Sequence, residues 1–363
     1  MKIMFCLGSM TKGGAERVIA NLSNDLVNKY DISIVVTPPD KPMYELDKRI
    51  TYYTLDSTKL KKGVFARTIH RVIKLRKTIK KYNPDIIVSL LPEPTFRIMI
   101  AKIGLHKKAI ISVRNDPNVE YNTMTKKILM KLLYSRANGF IFQTNDAKKY
   151  FSKKIQKKSA VIPNPINDSF ICKPYDKKRE KIIVSVGRLT KQKNQKLLID
   201  SFYEVHKKYD DYILKIYGSG ELKDDLENQI EKLGLKKSAF LMGEVDDIKE
   251  EIYKSCLFVL TSDYEGMPNA LLEAMALGIP CISTNCPIGG PKSLINNYDN
   301  GILVEVNDKN KIVDAMIKII RDDKFAKKIG DNANKICNEL NSTIINDKWE
   351  KYILKVIGDD INV

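Results

Sequence analysis

Short runs of β-branched and other apolar residues recur along the chain, each followed by a longer stretch whose apolar positions repeat at helical spacing. In the first half these runs are residues 3–7, 32–36, 86–90, 110–113 and 140–143. After a break the rhythm resumes at 182–186, 213–217, 257–260 and 281–283. Strands alternating with helices predict an α/β fold of parallel, doubly wound sheets buried on both faces, and the restart predicts two of them. The join falls between Ile162-Pro163-Asn164-Pro165 and Lys177-Lys178-Arg179, a proline-rich stretch with a charge run that ends at a fresh strand. The pattern therefore predicts domains at 1–165 and 166–342. A last segment, about 343–363, is expected to pack back on the first domain as a helix carrying Ile345, Trp349, Tyr352, Ile353 and Val356 on its apolar side.

Composition narrows the class. The 363 residues are 43% hydrophobic and 29% charged, a globular balance that excludes disorder and fibre. No apolar run approaches the roughly 18 residues that span a bilayer, and the opening MKIMFCLGSM turns polar too soon for a signal peptide. A cytoplasmic protein is expected. Six cysteines form no C-x-x-C pair and three histidines have no ligand-spaced neighbour, so neither a disulfide framework nor a metal site is expected.

Charge divides the chain as the hydrophobic pattern does. Residues 1–165 hold 32 Lys and Arg against 12 Asp and Glu, a net of +20, whereas the remainder has 30 against 32. Such an excess marks the first domain as a face for something anionic: nucleic acid, phosphorylated substrate or membrane surface.

Three motifs follow predicted strands. Gly8-Ser9-Met10-Thr11-Lys12-Gly13-Gly14 opens a helix, where adjacent glycines admit a ligand close to the backbone and unpaired N–H groups face an anion; a ligand-free tight turn reads the same way. Gly187-Arg188-Leu189-Thr190-Lys191-Gln192-Lys193-Asn194 sets two cations beyond a strand's carboxyl end, which suits a diphosphate but also an ordinary solvated turn. The third runs from Ser262 to Pro280. Glu265 and Gly266 form its turn, Pro268 is expected at the first helical position, Glu273 lies on the helix and Gly278 ends it. Carboxylates accept from sugar hydroxyls; a glycosidase pair or plain surface charge would use the same residue types.

Taken together, GGAERV at the N-terminus, VIPNPI at the join, GRLTKQKN, YGSGEL, EGMPNALLEAMALGIPCIST and the late Asn300-Gly301 resemble the retaining glycosyltransferases of family 4 over nearly the whole chain. The resemblance implies a GT-B fold, two facing Rossmann-like doubly wound domains with a cleft between them. It also assigns roles. Arg188 and Lys193 would hold the nucleotide diphosphate as leaving group, Glu265 the donor sugar and Glu273 the ribose. Backbone N–H groups near Gly266, Met267, Asn269 and Ala270 would reach sugar or phosphate. Gly13 and Gly14 would approach the donor phosphates, and the base would lie near Gly218, Gly243 and Val245. There is no Asp-x-Asp in the chain, so a metal-independent reaction without a cofactor is expected. Where many relatives carry a histidine after the fourth predicted strand, this chain has Arg114 and Asn115, which become candidates for an acceptor or anion.

The basic stretch 59–81 places Phe65, Ile69, Val72, Ile73 and Ile79 on one expected helical face, with Lys61, Lys62, Arg67, Arg71 and Lys74 among the cations around it. Such a helix suits an anionic bilayer or a lipid diphosphate. It is similar in place and character to the helix by which family members that add GalNAc to polyprenyl-linked glycans grip the lipid diphosphate. The expected function is transfer of a hexosyl or N-acetylhexosaminyl unit, from a UDP-sugar by preference, to a lipid-linked oligosaccharide of cell-surface glycan assembly, at the inner membrane face. A sugar-nucleotide 2-epimerase of the same fold is the alternative. A nucleic-acid-binding protein is more remote, since the basic surface lacks interleaved stacking aromatics, and no nucleic acid partner is expected.

Overall fold

The computed structural model describes residues 1–11, 13–37, 41–55 and 63–358. Lys12 of the glycine-rich turn, Lys59, Lys61 and Lys62 of the basic stretch, and positions 359–363 of the final segment lie outside the described residues. The chain divides into one unit of Met1–Pro165 with Thr343–Val363 and a second of Ile166–Ser342.

The first unit is built on parallel strands β1 (Lys2–Cys6), β2 (Asp31–Val36), β3 (Thr51–Thr54), β4 (Ile86–Leu90), β5 (Lys108–Val113), β6 (Gly139–Phe142) and β7 (Ser159–Val161). Their spatial order is β3-β2-β1-β4-β5-β6-β7. Phe5 lies opposite Ile34 on one side and Val88 on the other, and every residue of β4 is buried, as a strand covered on both faces must be. On one face the helix Val64–Tyr82 packs Leu75, Ile79 and Tyr82 onto Met4, Val35 and Ile87. Beside it run the helices Pro92–Ala101 and Met124–Tyr134, in that order.

The helix Ser342–Ile357 packs its buried Trp349 and Ile353 in this unit. Its Tyr352 hydroxyl accepts from the Phe140 N–H at 2.9 Å and donates to the Lys158 carbonyl at 2.8 Å. Glu350 accepts from Lys29 Nζ at 2.8 Å and from the Tyr30 hydroxyl at 2.7 Å.

The second unit repeats the plan with β8 (Glu180–Val186), β9 (Ile213–Tyr217), β10 (Ala239–Gly243), β11 (Ser255–Leu260), β12 (Cys281–Thr284) and β13 (Ile302–Val304), all parallel. Their order is β10-β9-β8-β11-β12-β13. The helix Gln195–His206 inserts Leu198, Ile199, Phe202 and Val205 into a core with Ile183, Leu214 and Ile216. That packing fixes the loop before it. In each sheet the chain reverses its direction of travel at one strand, β1 in the first and β8 in the second, and ligands of such sheets bind beyond the strand ends at that point.

Three expectations need correction. The apolar face expected for 59–81 is split: Val72 and Ile79 turn toward the sheet, whereas Phe65, Ile69 and Ile73 are exposed. Pro268 is the N-cap of the helix Asn269–Ala276 rather than its first residue, with φ −76° and ψ 110°. The strand before Arg114 is also the fifth and not the fourth, because β3 had no apolar run to announce it.

Candidate functional site

Gly187 and Arg188 leave the carboxyl end of β8, and the segment stays tied to the neighbouring strand exit. The Gly187 N–H donates to Tyr217 O at 2.9 Å and the Leu189 N–H to Ser219 O at 2.8 Å. Gly218 sits at φ +127°, and a Cβ there would lie 2.2 Å from the Gly187 carbonyl oxygen, so only glycine allows the two turns to meet. Its N–H donates in turn to Gly243 O at 2.7 Å, which brings the exits of β8, β9 and β10 into one cluster, with Val245 half-buried just beyond. The Arg188 side chain is exposed there.

Past Arg188, a 3-10 turn at Lys191–Lys193 ends on Asn194 in the left-handed region, and the Asn194 side chain caps the helix Gln195–His206 by accepting from the Leu197 N–H at 3.4 Å. This turn is fastened to the loop after β11. Gln192 Nε2 donates to Tyr264 O at 2.9 Å, Asn194 Nδ2 to Asp263 Oδ1 at 2.8 Å, and the Thr261 hydroxyl to Asn194 O at 2.9 Å. The result is a contact between two residues 72 positions apart. Lys193 Nζ pairs with Glu265 Oε1, which also accepts from the Ser262 hydroxyl at 2.7 Å; the two side chains are 15% and 8% exposed. Arg188, Lys193 and Glu265 thus all sit on loops at the carboxyl ends of β8 and β11, the switch point of this sheet.

Gly266, Met267 and Pro268 are buried, and Asn269 and Ala270 begin the helix Asn269–Ala276, whose first-turn N–H groups have no intrahelical acceptor. Glu273 lies on that helix and is buried. Gly278 ends it in the left-handed region at φ +65°. Behind the turn stands Gly290: a Cβ on it would fall 1.6 Å from the Gly266 carbonyl oxygen, so this glycine sets how tightly the loop folds.

In the first unit, Gly13 caps the helix Gly14–Leu26 in extended conformation, and both of its backbone groups meet Tyr44: its N–H donates to the hydroxyl at 3.1 Å and its carbonyl accepts from it at 3.0 Å. Beyond β5, Arg114 is buried and its guanidinium carbon stands 5.7 Å from the centroid of the Trp349 ring. Asn115 is half-buried, and Asp116 caps the short helix Pro117–Glu120 by accepting from the Asn118 N–H at 2.8 Å.

The family model described as glycosyl transferases group 1 matches residues 169–336, and that described as glycosyltransferase family 4 matches 12–170. An Escherichia coli protein named UDP-Gal:α-D-GlcNAc-diphosphoundecaprenol α-1,3-galactosyltransferase is 32% identical over 80% of this chain and 82% of its own. The chain belongs to the family 4 glycosyltransferases. A Campylobacter jejuni enzyme named as an α-1,4-N-acetyl-D-galactosaminyltransferase of a diNAcBac-PP-undecaprenol-linked glycan is 25% identical over 98% of this chain and 99% of its own. Anabaena HepE, solved in complex with UDP, superposes with a TM-score of 0.80 at 18% identity, covering 98% of this chain and 100% of that one. That likeness shows the fold, GT-B.

For this glycosyltransferase the basic candidates fall on the helix Val64–Tyr82, where Arg67, Arg71 and Lys74 are half-buried. Arg76 serves the fold instead, since its Nη1 donates to Ala101 O at 2.8 Å and Ile103 O at 2.6 Å at the end of the neighbouring helix. A second apolar stripe went unread in the sequence: Met124, Ile128 and Leu132, four residues apart on the helix Met124–Tyr134, are exposed beside Lys126, Lys127 and Lys131. Tyr44 and Gly290 were also unread. Neither belongs to a recognisable local pattern; the signal in each case is a partner distant in sequence.

Proposed function

We propose that this glycosyltransferase moves a hexosyl or N-acetylhexosaminyl unit from a UDP-sugar to a lipid-diphosphate-linked glycan with retention of configuration, at the inner face of the cell membrane. The observation that carries the reading is the pairing of Lys193 with Glu265 at the switch point between β8 and β11, with Arg188 on the same loop as Lys193. As the bond from the sugar's anomeric carbon to the diphosphate breaks, negative charge gathers on the leaving oxygen, and fixed cations beside it lower the barrier. Arg188 and Lys193 supply them, a role for which no metal is invoked. Glu265 orients the sugar through its hydroxyls once a donor draws Lys193 toward phosphate. The acceptor hydroxyl attacks from the face the diphosphate leaves, and the departing phosphate oxygen takes its proton.

The donor reading is supported by the UDP bound to Anabaena HepE and by the UDP-galactose in the name of the Escherichia coli relative. The undecaprenol-diphosphate acceptors in the names of both relatives favour a lipid-linked substrate. A basic, partly apolar face in the first unit suits a bilayer, and no helix among the described residues is long and apolar enough to cross one. Arg114 and Asn115 are the candidates for an anionic or acceptor group in that unit.

A thermal-shift panel of nucleotide sugars tests the donor site, since a ligand at 100 times its dissociation constant adds about 2.7 kcal/mol. A UDP-sugar should stabilise the protein, and Arg188→Ala should abolish most of the gain. No gain with any nucleotide sugar would contradict the reading.

A further inference from the structure

At the amino ends of β5 and β6 a cavity of about 390 Å³ opens between two loops, one joining the helix Pro92–Ala101 to β5 and the other joining the helix Met124–Tyr134 to β6. Lys102, His106, Lys107, Lys108, Arg136 and Asn138 line it, together with the apolar Met99 and Ile103. No acidic residue lines it, and none of its lysines or its arginine forms an ion pair among the described residues. What these cations do have is backbone: Lys102 Nζ donates to Arg136 O at 3.4 Å and Lys108 Nζ to Ile357 O at 2.7 Å. Lys158 stands behind, donating to Ala137 O.

Four basic side chains line this cavity with no acidic side chain among them. Burial first, and the neighbouring Lys158 second, push the Lys102 pKa down to about 8. Clustered like charges cost stability unless something anionic joins them. This end of the sheet is not where α/β sheets bind their substrates, which lie beyond the opposite, carboxyl ends of the strands. The sugar-transfer reading therefore leaves the cavity unexplained. Its rim gives the remaining clue: Ile103 and Ile100 are exposed beside it, on the same side of the sheet as the exposed Met124, Ile128 and Leu132.

We infer that this cavity is a binding site for a phosphate group, its charges met by Lys102, Lys107, Lys108 and Arg136 and its apolar rim by whatever the phosphate is attached to. The ligand chemistry is a tetrahedral phosphate oxyanion, whose source is either the headgroup of an anionic phospholipid or free phosphate. Only the headgroup source rests on the membrane reading given above; the site itself does not.

The test is competitive acetylation of the full chain at pH 8, read lysine by lysine by mass spectrometry at constant ionic strength. Saturating inorganic phosphate should slow the labelling of Lys102 about tenfold relative to chloride, while exposed Lys153 labels at an unchanged rate. Arg136→Gln should weaken that protection. Vesicles of phosphatidylglycerol that protect Lys102, where phosphatidylcholine vesicles do not, identify the headgroup as the source. Protection by phosphate but by neither vesicle identifies free phosphate, and if the protein also fails to float with either vesicle the membrane reading falls while the site stands. Equal labelling of Lys102 in phosphate, in chloride and with both vesicles overturns the inference.

Discussion

The guanidinium carbon of Arg114 lies over the indole ring of Trp349, 5.7 Å from its centroid, and none of the three guanidinium nitrogens has a hydrogen-bond partner among the described residues. Burial alone draws its pKa down to about 10. A cation–π contact returns on the order of 0.5–2 kcal/mol, less than the several kcal/mol that hiding an unpaired charge costs. Burying Arg114 without a counter-charge therefore costs stability. Arg114→Met should leave the ligand-free protein as stable as the wild type or about 1 kcal/mol more so in urea unfolding, while lowering turnover with a lipid-linked acceptor. A loss of stability with unchanged turnover would make Arg114 a structural pin.

Lys193 and Glu265 neutralise each other in a nearly closed site, so removing one strands the other. Lys193→Met and Glu265→Leu should each cost roughly 3 kcal/mol, and the double variant markedly less than their sum, with a coupling of about 1–3 kcal/mol. A double-mutant cycle by urea unfolding measures it; additive losses would mean that the two side chains are not energetically coupled.

The exposed stripe on the helix Met124–Tyr134 gives the membrane reading a local test. Replacing Met124, Ile128 and Leu132 together by glutamate should abolish flotation with anionic vesicles, because it removes the apolar contact and reverses charge beside Lys126, Lys127 and Lys131. Being solvent-exposed, these substitutions should shift stability by no more than about 0.5 kcal/mol each. Unchanged flotation would move the bilayer contact elsewhere.

Glu120 introduces a pH dependence. Burial first and Asp116 second raise its carboxyl to a pKa of about 8, against a smaller opposing effect of Lys126. The native state keeps a proton that the unfolded chain releases near pH 4.3. Stability from this group is therefore complete below that pH and is lost as pH rises toward 8. Urea midpoints should fall across that window by an amount worth up to about 5 kcal/mol, and Glu120→Gln should flatten the fall. Parallel curves for the two proteins would contradict the assignment.

How far the sequence could be read follows from burial. Inner strands announce themselves as mostly apolar runs, and all nine predicted ones are present, β4 and β9 to the residue. The four that were missed, β3, β7, β10 and β13, are the edges of the two sheets. Edge strands are short and half-exposed; Thr51–Thr54 and Ser159–Val161 hold no fully buried residue, so no hydrophobic run marks them. The helix Val64–Tyr82 misled for a related reason. It carries two apolar stripes, and spacing alone does not say which one the sheet takes. In the site, the motif residues were legible because the loops that carry them are local in sequence. The Lys193–Glu265 pair, the clasp of Tyr44 on Gly13 and the contact of Gly290 with Gly266 bring together residues far apart in the chain, and only the folded sheet sets their distances.

Transfer from a UDP-sugar to a lipid-linked acceptor with retention can be followed by incubating the protein with radiolabelled UDP-sugars and an undecaprenyl-diphosphate-linked glycan, then determining where the label goes and the anomeric configuration of the new bond. Label should appear in the lipid fraction as the α-anomer, with UDP released in equal amount and neither change without acceptor. An inverted product, or conversion of the UDP-sugar to its epimer in the absence of acceptor, would contradict it.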